Sequence, residues 1–123
     1  MILGLGIDII ETSRIERAMR NPRFLHRLFS PAERRQLGQQ LTDPQTVAGR
    51  FAAKEAICKA LGTGIGRVSW QELEIYNMEQ GVPVVQLRGA AREIFDQRGG
   101  VQMLVSITHV KELAAATAIL EGA

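Results

Sequence analysis

Two acidic residues and one lysine stand in surroundings that are otherwise almost entirely apolar. Asp8 lies within Gly6-Ile7-Asp8-Ile9, and Glu55 and Lys59 lie within an alanine-rich segment. Two carboxylates on separate rigid elements are the least that a protein contributes to a Mg²⁺ site, because magnesium completes its shell with water and substrate phosphates. A lysine beside them would offset further phosphate charge. These residues predict magnesium-assisted phosphate chemistry, with Asp8, Glu55 and Lys59 as the catalytic group.

The residues around Lys59 support the same interpretation. Gly62-Thr63-Gly64 ends the alanine-rich segment, and a glycine turn can approach a ligand closely and present backbone N–H groups to it. Arg50, earlier in the segment, adds a second cation. A phosphate held near this turn would meet both backbone donors and positive charge.

Each of these residues also has a purely structural interpretation. Asp8 could lie at a strand end and accept backbone hydrogen bonds. Glu55 and Lys59 are four residues apart, and such a pair on a helix surface contributes only about 0.2–0.5 kcal/mol. The helical face that they share also carries Phe51 and Ala52, and this apolar character weakens the second alternative.

Histidine and cysteine carry less information. His109 follows Ser106-Ile107-Thr108 at the end of a predicted strand, and a lone histidine is more often structural or merely exposed than catalytic. Cys58 is the only cysteine, so it has no internal disulfide partner, and its apolar helix favours a small buried side chain. We expect no nucleophilic role for it, since no base and orienting group accompany it in the sequence.

Arginines are concentrated in the first third of the chain. Between Thr12 and Arg35 there are seven arginines and only two acidic residues. One-signed charge of this kind favours an acidic partner, whether a protein, a nucleotide or a nucleic acid. Aromatic residues make up only 5% of the chain, too few for a stacking platform, which disfavours single-stranded nucleic acid. Composition leaves duplex binding open, and a solvated helix face is the simple alternative.

The composition is that of an ordinary globular protein. With 123 residues, 46% hydrophobic and 23% charged, we expect a single domain over 1–123. The apolar stretches are of strand length, so no membrane span is expected. The start Met1-Ile2-Leu3-Gly4-Leu5 lacks the features of a secretory leader, and we therefore expect a cytoplasmic protein.

One strand and one long helix must position the catalytic group. Residues 2–10 alternate in character, with large apolar side chains on one face and Gly4, Gly6 and Asp8 on the other. Two glycines beside an aspartate clear space for another backbone or for a ligand. Asp43-Pro44 is a helix start and Gly62 is a helix stop, so a helix about 25 Å long is predicted over 45–61.

The other signals predict shorter elements. Helix starts recur at Ser13, Asn21-Pro22 and Ser30-Pro31, and the first of them, with Glu16 three residues later, fits a capping box. A helix is predicted over 90–97, and strands are predicted over 73–78, 83–87, 101–108 and 113–120. This order predicts an α+β fold with an antiparallel sheet packed against the long central helix.

Three motifs carry a resemblance to a known family. They are Gly6-Ile7-Asp8-Ile9, the central block from Gly49-Arg50-Phe51-Ala52-Ala53-Lys54-Glu55-Ala56 through Lys59 to Gly66, and Ser106-Ile107-Thr108-His109. The chain resembles the holo-acyl-carrier-protein synthases, the small bacterial 4′-phosphopantetheinyl transferases, nearly from end to end. The central block is the specific part, and the shorter motifs would mean little without it.

This resemblance implies an activity and roles for the residues above. The activity is transfer of the phosphopantetheine arm from coenzyme A to a serine of apo-acyl carrier protein, in support of fatty acid biosynthesis. Asp8 and Glu55 match the positions that bind Mg²⁺, and Lys59 and His109 match positions that face the coenzyme A phosphates. The nucleotide end would be lined by Arg50, Gly62, Thr63 and Gly64.

The resemblance also implies partners. The arginines of the first helices match a docking surface for the acidic carrier helix, which here would consist of Arg14, Arg17, Arg20, Arg23 and Arg27. Family members form trimers with active sites at subunit interfaces, so a homotrimer is expected. A helix with almost no solvent face in so small a domain fits that arrangement. Neither a nucleic acid nor a membrane is an expected partner.

Overall fold

The computed structural model describes residues 1–78 and 80–123 as an α+β fold. The strands are β1 (Ile2–Glu11), β2 (Leu73–Asn77), β3 (Pro83–Leu87), β4 (Gly100–His109) and β5 (Leu113–Gly122). The helices are α1 (Thr12–Ala18), α2 (Pro22–Leu28), α3 (Pro31–Leu37), α4 (Pro44–Leu61) and α5 (Gly89–Gln97). Short 3₁₀ turns span Gly38–Thr42 and Trp70–Glu72. Across these residues, no helix combines the length and the apolar character that crossing a membrane requires.

The strands form two antiparallel sheets. The larger has the order β1-β5-β4, so the first strand pairs with the last, and Asp8 lies opposite Ala116. On the other side of β5, His109 lies opposite Ala114. Strands β2 and β3 form a separate hairpin. The predicted fold class is confirmed, but the division into two sheets follows from long-range pairing that local alternation does not reveal.

Helix α4 lies directly on the strand that carries Asp8. The helix begins after Asp43, whose side chain caps it, and ends at Gly62, which adopts a left-handed conformation with φ of 77°. A Cβ on Gly6 would lie 1.9 Å from the Ala56 carbonyl oxygen, and one on Gly4 would lie 2.0 Å from that of Ala60. The space predicted beside Asp8 is therefore occupied by the backbone of α4.

Two of the four charges on α4 are buried inside the domain. Lys54 is fully buried, and its Nζ lies 2.7 Å from Oε1 of Glu33. Arg50 is 5% exposed, and its Nη1 donates to the carbonyl of Ile75 at 2.8 Å. Burial lowers the pKa of Lys54, and the nearby Glu33 carboxylate only partly opposes this effect, so the pKa is about 8. These two charges join α4 to α3 and β2.

The outer face of the larger sheet is apolar and uncovered by the described residues. Leu5, Ile7 and Ile9 are 66%, 63% and 65% exposed, because the glycine face of β1 is the one that packs on α4. Ile119 of β5 lies opposite Leu5, and Leu104 of β4 lies opposite Ile119, so the apolar face crosses three strands. A contiguous exposed apolar surface is typical of a site that contacts another protein, a membrane or a ligand.

The start of α1 differs from the predicted capping box. The residue before the helix is Glu11, which makes no side-chain cap, and the N–H of Thr12 instead donates to the carbonyl of Glu112 at 2.9 Å. The prediction of a capping box formed by Ser13 and Glu16 is therefore wrong. Because α1 ends at Ala18, Arg20 lies beyond it.

Candidate functional site

Asp8 and Lys59 meet where β1 packs on α4. Lys59 Nζ lies 3.3 Å from Asp8 Oδ1 and donates to the carbonyl of Ile7 at 2.8 Å. This contact depends on the glycine face of β1, since a strand with side chains there could not come so close to the helix. Glu55 lies one turn before Lys59, on the same side of α4. The three residues predicted as catalytic therefore lie in one region.

The chemistry of this pair of carboxylates fits Mg²⁺. Both are hard oxygen donors on elements whose relative position is fixed by packing. In ranges 1–78 and 80–123 the structure contains no cluster of three or more histidine, cysteine, aspartate or glutamate side chains that could hold a metal. A pair of carboxylates suits an ion that arrives with water and a phosphate-bearing substrate.

Glu55 has a partner that the sequence analysis missed. The indole Nε1 of Trp70 donates to Glu55 Oε1 at 3.0 Å. The carbonyl of Trp70 accepts from Lys54 Nζ at 3.0 Å. In the sequence, Trp70 ends a glycine-containing loop and has no spacing that singles it out. Only the fold brings it to the helix that carries Glu55.

The glycine turn lies next to Lys59 but offers fewer backbone donors than predicted. The N–H of Gly62 donates to the carbonyl of Lys59, and that of Thr63 donates to the carbonyl of Cys58. Both groups therefore close the end of α4. A side chain on Gly64 would meet nothing within 4 Å. The turn is therefore open at Gly64, while the N–H groups of Gly62 and Thr63 are already engaged.

A second missed residue holds the same end of α4. Nη1 of Arg98 donates to the carbonyl of Ala60 at 2.8 Å, and its Nη2 donates to the carbonyl of Leu3 at 2.6 Å. Arg98 follows α5, and no motif in the sequence connects it with the glycine turn. It ties the C-terminal end of α4 to the beginning of β1.

Arg50 and His109 line a different part of the molecule. They share a cavity of about 560 Å³ with residues of the β2–β3 hairpin and of β4. His109 Nδ1 lies 3.1 Å from Gln45 Oε1, and a Cβ on Gly49 would lie 3.9 Å from the histidine ring. Burial lowers the pKa of Arg50, and Glu33 opposes that shift. Gln45 was not among the predicted site residues.

The predicted site is thus divided along α4. Arg50 precedes Lys59 by nine residues, which corresponds to about 13 Å along a helix. In the sheet, Asp8 and His109 are on strands separated by β5, so they are roughly 12 Å apart by strand geometry. Within one chain, the carboxylates of Asp8 and Glu55 and the Arg50–His109 cavity are neighbouring but distinct.

The predicted docking surface is exposed. It consists of Arg14, Arg17, Arg20, Arg23 and Arg27, and each of them is accessible to solvent. In the part of the chain that the structure describes, none of the five forms an ion pair with an acidic side chain. A cleft of about 250 Å³ opens within this surface, and it is lined by Arg17, Ala18, Asn21, Phe24, Arg27 and Trp70. Uncompensated charge around a partly apolar cleft suits an acidic partner.

Comparison with known proteins identifies relatives over the whole chain. The family described as the 4′-phosphopantetheinyl transferase superfamily matches residues 4–118. The holo-[acyl-carrier-protein] synthase of Natranaerobius thermophilus is 44% identical over 122 residues, which is 98% of each chain. That of Alkaliphilus metalliredigens is 46% identical over 120 residues, covering 97% of this chain and 98% of the other.

A solved structure agrees with these matches. A holo-(acyl-carrier-protein) synthase from Bacillus anthracis str. Ames, in complex with CoA (3′,5′-ADP), superposes with a TM-score of 0.81 at 40% identity. The match covers 100% of this chain and 99% of that one. The resemblance found in the sequence is confirmed by both kinds of comparison. The chain belongs to the 4′-phosphopantetheinyl transferase superfamily.

Proposed function

We propose that this chain, as a single domain, transfers the 4′-phosphopantetheine group from coenzyme A to a serine of apo-acyl carrier protein. The transfer depends on Mg²⁺ and supports fatty acid biosynthesis in the cytoplasm. The observation that carries the proposal is the contact of Asp8 with Lys59, one helical turn from Glu55. The glycines of β1 allow this contact because they let the strand pack closely on α4. The relatives named as holo-[acyl-carrier-protein] synthases, and the solved relative with bound CoA, support the same activity.

The chain's residues have separate tasks in this reaction. Asp8 and Glu55, the metal pair, would hold Mg²⁺, which would supply charge neutralisation at the pyrophosphate of coenzyme A. The Lys59 side chain is 55% exposed, so its ammonium can contact a phosphate while Ile7 and Asp8 anchor it. The carrier serine forms the new P–O bond, the pyrophosphate P–O bond breaks, and adenosine 3′,5′-bisphosphate leaves. The serine proton passes to Glu55 or to solvent.

The nucleotide end of coenzyme A is assigned to the cavity of Arg50 and His109. The cavity volume of about 560 Å³ is in the range of small-molecule sites. The open space at Gly64, in the turn that follows α4, is assigned to the phosphates that approach Lys59. Gly62 and Thr63 contribute by shaping this turn.

We further propose that the protein is a homotrimer. The exposed apolar face of β1, with Leu5, Ile7 and Ile9, needs a cover, and a second copy of the chain can supply one. The division of the site supports this arrangement, because the cavity of one copy could then complete the metal pair of its neighbour.

The substitution Ile7→Glu, which puts a charge into this apolar face, should yield monomers when the mass in solution is measured by light scattering. The same charge in Val84→Glu, on the β2–β3 hairpin, should leave the oligomer intact; trimers in both variants would refute the assignment.

The docking surface is assigned to the acidic acyl carrier protein. Its five arginines are exposed and free of ion pairs with the described residues, and their cleft lies beside Trp70, the partner of Glu55. Docking there would bring the carrier close to the catalytic group. Because exposed charges are screened by salt, docking should weaken as ionic strength rises.

The test of the activity is a measurement of carrier mass. The protein is incubated with coenzyme A, Mg²⁺ and an apo carrier, and the carrier should gain one phosphopantetheine. Glu55→Gln and Asp8→Asn should abolish the gain while circular dichroism shows a retained fold. Glu93→Gln, which removes an exposed carboxylate on α5, is the matched control and should transfer normally. An unmodified carrier with the wild-type protein would refute the proposed function.

A further inference from the structure

Trp70 is held at two points by consecutive residues of α4. Its indole N–H donates to Glu55 and its carbonyl accepts from Lys54, each at 3.0 Å. Lys54 is fully buried and lies 2.7 Å from Glu33, so this anchor belongs to the core. The position of the indole is therefore set by α4 and α3.

The ring of Trp70 also reaches the docking surface. Its centroid lies 5.7 Å from that of Phe51, and the Phe51 ring lies 6.4 Å from that of Phe24. Trp70 and Phe24 both line the cleft between Arg17 and Arg27. The indole N–H of Trp70 thus bonds to Glu55, while Trp70 also lines the docking cleft.

We propose that Trp70 is a positioning residue that orients Glu55 for metal binding and links the docking surface to the metal pair. The proposal rests on the proposed function, because the metal and the carrier are those assigned there. An indole N–H can only donate, so the Glu55 oxygen that it contacts is the acceptor of this hydrogen bond. With Oε1 engaged by Trp70, Oε2 is the oxygen that remains for an ion. Groups that orient metal ligands in this way typically affect metal affinity by about 10- to 100-fold.

The hydrogen bond can be tested without metal or substrate. Trp70 is the only tryptophan, so a proton–nitrogen correlation spectrum contains a single indole cross-peak. Glu55→Gln should shift this cross-peak, because a carboxylate acceptor becomes an amide. Asp8→Asn is the matched control, since it removes the other carboxylate and should leave the cross-peak in place. An unshifted cross-peak in Glu55→Gln would overturn the positioning role.

The effect on the affinity for Mg²⁺ is measured with Trp70→Phe, which keeps an aromatic ring and removes the indole N–H donor. Calorimetric titration of Mg²⁺ into the protein with bound coenzyme A should show at least about tenfold weaker binding than in the wild type. Binding of coenzyme A without metal should be unchanged, which separates loss of orientation from loss of fold. Unaltered Mg²⁺ affinity in Trp70→Phe would refute the proposal.

The link to the docking surface has its own readout. Titration of apo carrier protein into the wild type should shift the indole cross-peak, and Arg17→Glu should suppress that shift. Carrier binding that leaves the cross-peak unmoved would refute the link. The result with Glu55→Gln stands whether or not transfer occurs, so failure of this inference and failure of the proposed function are distinguishable.

Discussion

Adding one methyl group at Gly6 should disable the catalytic group without touching any of its members. A Cβ there would lie 1.9 Å from the Ala56 carbonyl oxygen, whereas real Cβ atoms essentially never come closer than 3.0 Å. Strand β1 must therefore move away from α4 by about 1.1 Å in Gly6→Ala. The strain should cost about 1–3 kcal/mol of unfolding free energy, as overpacking does. Asp8, two residues further along, would move away from Lys59, and a displacement of about 1 Å can reduce a rate by about 100-fold.

The assay compares transfer rate with stability. The rate of carrier modification is measured by mass spectrometry, and the free energy of unfolding is measured with urea. Gly38→Ala is the control, because φ of 53° makes a side chain there costly while nothing lies within 4 Å of it. We expect both variants to lose stability but only Gly6→Ala to lose rate at a temperature where both are folded. A Gly6→Ala variant with the wild-type rate would refute the role of this contact.

The buried charges and the docking surface give three further expectations. Lys54→Met should lower the free energy of unfolding in urea by about 3–5 kcal/mol, because it leaves the buried Glu33 side chain without its lysine partner. Adding Glu33→Gln should recover part of the loss, and an additive loss would contradict the pairing. Burial lowers the pKa of Lys54 from 10.5 to about 8, so the unfolded state binds more protons between these values and the free energy of unfolding should rise from pH 8 to 9. Above pH 9 the buried thiol of Cys58, whose pKa is raised from 9.0 to about 12, opposes this rise in unfolding free energy. In urea titrations of Cys58→Ala, the free energy of unfolding should therefore continue to rise above pH 9. A flat wild-type profile from pH 8 to 9 would contradict the lowered pKa of Lys54. Arg17→Glu should raise the KM for the carrier by about tenfold at low salt, and less at high salt, without changing coenzyme A binding, whereas Arg92→Glu on α5 should change neither.

Local signals were sufficient for the elements that carry the catalytic group. Asp43-Pro44 and Gly62 predicted α4 to within one residue, because capping and the left-handed end are local properties. The glycines of β1 predicted a close approach, and the structure shows that α4 makes it. Asp8 and Lys59, 51 residues apart, were placed in one predicted group from two short patterns, and the structure brings them into contact.

Most side-chain contacts between distant segments could not be predicted from these local signals. A helix without a polar face indicated buried charge, but the partner of Lys54 is Glu33, and nothing local marks that pair. Trp70 was missed because a tryptophan in a loop has no periodic pattern. The alternation in β1 could not show which face packs inward, and the smaller glycine face does so while Ile7 remains exposed. Arg50 and His109 were assigned to the same site as Lys59, and only the fold separates them.

The most direct test is to locate the ion itself. Crystals grown with coenzyme A and Mn²⁺ in place of Mg²⁺ would reveal the metal by its anomalous scattering. We expect one peak per active site, bonded to a carboxylate oxygen of Asp8 and to one of Glu55, with phosphate oxygens completing the shell. An ion bound to neither carboxylate, or to one of them alone, would contradict the account.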